Sequence, residues 1–131
     1  MTSIESFNKL FLKNYNIEFN CNLRFMTSFA HGNCYYYAYC FQQCLGGEVF
    51  SYLCPYKQSG HCFIKYQGKY FDAENPQGVE NWKDLQRYLK KIKRPLHKNS
   101  NLGILSRWKV SSQEKKKWAK IASLIKTNLP S

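Results

Sequence analysis

The stretch that most constrains this chain is His31-Gly32-Asn33-Cys34, followed by Tyr35 to Leu45 and stopped by Gly46-Gly47. Gly32 permits a tight approach of the backbone. Asn33 is a good N-cap, because its side-chain oxygen accepts an N–H that the first helical turn leaves unpaired. Cys34 then falls on the first turn of a helix, over the positive end of the helix dipole, where thiolate is favoured over thiol. From Ala38 to Leu45 the helix is apolar on most faces, so it reads as buried. A cysteine that opens a buried helix is a candidate nucleophile. Cysteine is also among the most buried residue types, so the position is not diagnostic by itself.

The chain has 131 residues, enough for one domain and too few for two. Aromatic residues make up 17% of it, which excludes a disordered chain and predicts a packed core. There is no apolar window of about 18 residues, and hence no expected membrane span. Residues 1–20 lack a basic start, an apolar run and a small-residue cleavage site, so no secretory signal is read. A cytoplasmic protein is the expectation, or one exported by a signal-independent route or delivered into a host cell. Six cysteines in such a setting read as thiols, a nucleophile or a metal site rather than as disulfides. Cys40, Cys44, Cys54, His61 and Cys62 do not match a zinc knuckle or ribbon spacing, so structural zinc is the weakest reading and no metal or other cofactor is expected.

Net charge is +12, and its distribution is uneven. Residues 1–82 carry six basic and six acidic side chains; residues 83–131 carry fourteen and two. A basic last third points to an acidic partner, either an acidic protein or nucleic acid, or to a solvated face. Its runs are Lys90, Lys91, Lys93 and Arg94, then Lys115, Lys116 and Lys117, with Trp108 and Trp118 interleaved. They would give salt-dependent phosphate binding without base reading.

The spacing of Ile4, Phe7, Leu10 and Phe11 predicts a helix over 3–15, with Ser3 as cap. Residues 16–30 read as an irregular lead-in. Glu48 to Cys54, His61 to Tyr66 and Lys69 to Glu74 have strand composition, and Gln67-Gly68 signals a tight turn between the last two. Asn75-Pro76-Gln77-Gly78 reads as a chain break. Val79, Trp82, Leu85, Tyr88, Leu89 and Ile92 predict an amphipathic helix over 79–92, ended by Pro95. Residues 94–103 read as a loop that contains His97, and Ile104 to Val110 as a short strand. Ser111 or Ser112 caps a last helix with Trp118, Ile121, Ala122 and Ile125 on one side. The order is that of a single α+β domain.

A thiol hydrolase needs a nucleophile, a base and a group that fixes the base. His61 starts a strand directly after a loop. With a two-residue turn at Gln67-Gly68, Tyr66 pairs with Lys69, Ile64 with Phe71, Phe63 with Asp72 and His61 with Glu74. Parity then puts His61 on the face of Asp72 and Glu74. With a bulged third residue, parity flips, and Asn75 is left to orient His61. Both registers remain open at this level.

A cysteine opening a buried helix, Gly46-Gly47-Glu48, and then Gly60 to Glu74 together resemble a papain-like cysteine hydrolase. The layout is similar to NlpC/P60 and CHAP amidases and to transglutaminase-like proteins, including small phage and bacterial members. The resemblance covers about residues 30–85. It implies a papain-like fold, Cys34 as nucleophile, His61 as base and Asp72 as the residue orienting the imidazole. It also implies a protein or peptide substrate cleaved at an amide or isopeptide bond through a thioester on Cys34. Papain's glutamine before the cysteine is missing from residues 28–33, so the backbone N–H of Cys34, with His31 or Asn33, takes the oxyanion. Asn33 also replaces the NlpC/P60 aspartate. The competing expectation is a catalytically silent binding or inhibitor protein that grips an acidic target through its basic surface.

Overall fold

The computed structural model describes residues 2–19, 34–53, 60–85, 97–99 and 111–130. Helix α1 (Ser3–Phe19) and helix α2 (Cys34–Leu45) come first. Strands β1 (Glu48–Leu53), β2 (Gly60–Tyr66), β3 (Lys69–Asp72) and β4 (Asn75–Val79) follow, then a 3-10 helix at Trp82–Asp84. Strand β5 (His97–Asn99) and helix α3 (Ser112–Asn128) complete the described chain. The sheet is antiparallel throughout, in the order β4-β3-β2-β1-β5. This is an α+β architecture.

Helix α1 begins at Ser3 itself, so its cap lies one residue before the expected one. Thr2, not Ser3, closes the first turn: its hydroxyl accepts the Glu5 N–H at 3.1 Å and its carbonyl the Ser6 N–H at 2.9 Å. The helix also runs on to Phe19, through the start of the segment read as irregular. Helix α2 begins at Cys34 and ends at Leu45, as the glycine pair requires. Gly46 has φ +90° and its N–H donates to the Gln42 carbonyl at 3.0 Å, the left-handed cap that frees the chain to turn back. Gly47 has φ +102°, and a Cβ there would lie 2.8 Å from the Lys65 carbonyl oxygen. Both the torsion and the close backbone argue that Gly47→Ala costs about 2 kcal/mol or more. Urea unfolding of that variant should show the loss, with Gly46→Ala, where a Cβ meets nothing within 4 Å, paying only for its torsion.

The β2–β3 hairpin takes the two-residue turn. Gln67 and Gly68 have φ +51° and +81°, the primed geometry that matches strand twist. Tyr66 pairs with Lys69 and Ile64 with Phe71. The expected pairs Phe63–Asp72 and His61–Glu74 do not form. Strand β3 stops at Asp72, Ala73-Glu74 make a second tight turn, and Asn75 pairs back to Asp72. Residues 75–79, read as a break, are instead an edge strand, where Pro76 lacks only an outward donor. The helix expected over 79–92 is corrected in its first half: Val79 ends β4, and Asn81 caps a single 3-10 turn, while residues 86–92 lie outside the described residues. Its apolar spacing arises because Val79, on edge strand β4, shares the sheet face that Trp82 and Leu85 cover, not because the three share a helix stripe. Residues 97–99, read as loop, form β5 along β1. The expected strand over 104–110 and the lead-in 20–30 lie outside the described residues.

Two apolar layers sandwich the sheet. The helices cover the face carrying Val49, Cys62, Ile64 and Phe71. Phe7, Phe11 and Tyr15 of α1 meet Tyr36, Tyr37 and Phe41 of α2, and α3 adds Trp118, Ile121, Ala122 and Ile125. Ring pairs hold this layer together, among them Phe11–Tyr37 at 5.1 Å and Tyr36–Trp118 at 5.0 Å between centroids. Of the tyrosines that follow Cys34, Tyr36 and Tyr37 are buried core residues and Tyr39 is half-buried. The opposite sheet face carries Phe50, Phe63, Tyr70 and Val79 under Trp82 and Leu85. Trp82 stacks on Phe63 at 6.4 Å, a packing role.

Candidate active site

Helix α2 packs on the sheet, chiefly on β2. Phe41 packs on Tyr66 (5.4 Å) and Phe71 (5.3 Å). Tyr37, one turn nearer the start of α2, feels the charge of Asp72, the residue after Phe71. Cys34 opens the helix that packs on β2, and His61 lies at the start of that strand. Their side chains lie outside the described ones. His61 is paired by backbone with Tyr52, next to the last rung of the β1–β2 ladder. Alternation gives position 61 the parity of Phe63, whereas α2 covers the Cys62 and Ile64 face.

Asp72 is the most firmly held of the expected residues. It is 1% exposed, and its Oδ1 accepts three hydrogen bonds: from the Glu74 N–H at 3.0 Å, the Asn75 N–H at 2.8 Å and the Asn75 side-chain amide at 3.0 Å. The Asn75 amide also donates to the Leu85 carbonyl at 2.8 Å. Asn75 therefore fixes Asp72 and ties it to the end of the 3-10 turn. Glu74 lies half-buried in the Ala73-Glu74 turn and not on a ladder opposite His61. His31 and Asn33 lie outside the described residues.

Sequence reasoning missed Asn8 and Tyr37. The buried Tyr37 hydroxyl donates to Asn8 Oδ1 at 2.6 Å, and the Asn8 amide donates to the Pro76 carbonyl at 2.7 Å. This relay joins α1, α2 and β4 beside Asp72. Burial pushes the Tyr37 phenol far above its ordinary range, and the Asp72 charge pushes it the same way, so the hydroxyl stays a donor. The signal was present: Asn8 lies on the stripe of Ile4, Phe11 and Tyr15, and a polar residue among core positions has to find a partner.

Two further thiols lie on α2. Cys40 is fully buried, and burial, then neighbouring Cys44, pushes its thiol well up. Cys44 Sγ donates to the Ala122 carbonyl at 3.4 Å; burial pushes its thiol up to about 11, against the opposing pull of Lys126. Among the described residues no three His, Cys, Asp or Glu side chains are grouped to hold a metal ion. No helix among them is long and apolar enough to cross a membrane. Of the basic candidates, Lys115, Lys116 and Lys117 are exposed on α3; Lys90, Lys91, Lys93, Arg94 and Trp108 lie outside the described residues.

Comparison with family models, with curated proteins and with solved structures returns no match. The class established is therefore an α+β domain with a helix layer on an antiparallel sheet.

Proposed function

We propose that this chain is a cysteine-dependent hydrolase of papain-like type, with Cys34 as nucleophile, His61 as base and Asp72 as the orienting carboxylate. The observation that supports it best is that the helix opened by Cys34 packs on the strand that starts at Gly60-His61, with a buried, rigidly held carboxylate on the neighbouring strand. Because position 61 has the parity of Phe63, the imidazole in this reading meets the thiol around the end of β2 rather than across the helix-covered face.

The chemistry runs as acyl transfer. The Cys34 thiolate attacks the carbonyl carbon of an amide or isopeptide bond, and the carbonyl π electrons move to oxygen, where the backbone N–H of Cys34 stabilises them. The tetrahedral species collapses to a thioester as the C–N bond breaks, and the His61 imidazolium gives its proton to the leaving amine. Neutral His61 then takes a proton from water, whose oxygen attacks the thioester and releases the carboxylic acid with return of the thiolate.

Alkylation with iodoacetamide near pH 6, followed by peptide mapping, tests the reading. A thiolate favoured by helix and imidazolium reacts there, whereas a thiol with a pKa of about 11, such as Cys44, stays protonated until pH rises far higher. Cys34 should be modified first, by at least about tenfold over Cys40 and Cys44, and His61→Ala should remove that preference. Uniform slow modification of all six thiols rejects the proposal.

A further inference from the structure

Helix α3 presents two unlike sides. Trp118, Ile121, Ala122 and Ile125 are buried against α2 and α1. On the opposite side, Lys116, Lys120, Ser123 and Thr127 follow one another at helical spacing, and all are exposed. Lys115 and Lys126 flank this line on one side and Lys117 on the other, each exposed. The one acid of the helix, Glu114, lies in the first turn, four residues before Trp118, and so belongs to the buried side of the wheel. From Lys115 to Lys126 the outer face thus carries five lysines and no carboxylate over about 16 Å.

We infer that the outer face of α3 is a docking surface for the phosphate backbone of a nucleic acid, read by charge and not by sequence. Charge complementarity selects an anionic partner, and the composition of the face selects among anionic partners. Protein interfaces centre on aromatic or arginine anchors; this face has neither, and Leu124 is its one exposed large apolar residue among those described. A membrane-surface helix turns its apolar side to lipid, but here that side is committed to the core. Lysines are flexible point charges, suited to a repeating lattice of phosphates and poorly suited to bidentate recognition. The surface is independent of Cys34 and of the chemistry proposed above.

The test is fluorescence anisotropy of the full chain with a labelled DNA duplex of about 20 base pairs of arbitrary sequence, titrated across salt concentration. The slope of log affinity on log salt should fall by about 0.9 per lysine removed. Lys115→Glu, Lys116→Glu and Lys120→Glu together should flatten it by about 3 and weaken binding at least about thirtyfold at low salt. Should that variant not fold by circular dichroism, Lys116→Gln with Lys120→Gln should still flatten it by about 2. Reversal of Lys9, Lys13 and Lys69, exposed on α1 and β3, changes net charge equally and should leave most of the slope in place. An equal loss in that control overturns the inference, because net charge alone then explains binding. Absence of duplex binding at low salt overturns it too, as does tighter binding to polyglutamate or to vesicles of phosphatidylcholine with phosphatidylserine.

Discussion

Asp72→Ala should unfold far more easily than the parent chain, by about 3–5 kcal/mol in urea denaturation. The carboxylate is buried, and one of its oxygens gathers three donors within 3.0 Å, two of them backbone N–H groups of the turn that follows. Hydrogen bonds to a charged acceptor contribute about 1.5–3 kcal/mol each, and removing the acceptor leaves buried donors unpaired. Asp72→Asn separates two roles. An amide oxygen still accepts from Glu74 and Asn75, so the stability loss should be roughly 1–2 kcal/mol. It carries no charge, so if Asp72 steadies an imidazolium, the selective alkylation of Cys34 near pH 6 should disappear in a variant that remains folded. An Asp72→Asn chain that is folded and alkylates like the parent leaves the residue as a turn anchor alone.

The second large effect is expected at Phe41. Its ring is fully buried between Phe7 at 5.2 Å, Phe71 at 5.3 Å, Tyr66 at 5.4 Å and Tyr37 at 6.0 Å. It is the residue on which α1, α2 and the sheet converge. Phe41→Ala loses the transfer energy of the ring and opens a cavity whose rigid aromatic walls collapse poorly, a cost of about 3–5 kcal/mol. Phe41→Leu retains most of the volume and should recover more than half of that. The midpoint of urea unfolding measures both. Because Phe41 seats the helix opened by Cys34 on the sheet, the alanine variant should lose selective Cys34 alkylation at denaturant concentrations where the parent keeps it.

The hairpin shows where local chemistry is enough. Gln67-Gly68 between two β-rich segments leaves one economical geometry, and the register follows from it by counting: Tyr66 to Lys69, Ile64 to Phe71. The same count fails at the next rung. Asp72 captures the N–H groups of Glu74 and Asn75, which bends the chain into a second hairpin before the ladder reaches His61. That side-chain bond competes with strand pairing, and strand propensity does not register it. The stretch from Val79 to Leu85 failed for another reason. Apolar residues three apart satisfy a helical wheel, yet here Val79 belongs to the sheet and Trp82 and Leu85 cover its second face, and periodicity cannot tell the two apart.

From residues alone came the helix opened by Cys34 and closed by Gly46-Gly47, the two-residue turn, the capped terminal helix and its buried stripe, and the concentration of charge in the last third. Each depends on neighbours within a few positions: caps, glycine torsions and side-chain spacing act locally. Tertiary structure alone decided that Asn8, Tyr37, Asp72 and Asn75 meet beside the start of α2, that residues 75–79 and 97–99 join the sheet, and that the lysines of α3 face outward together. Those outcomes join segments up to about seventy residues apart, where the choice is made by burying aromatic surface and pairing the polar groups left inside it, terms that no short window contains.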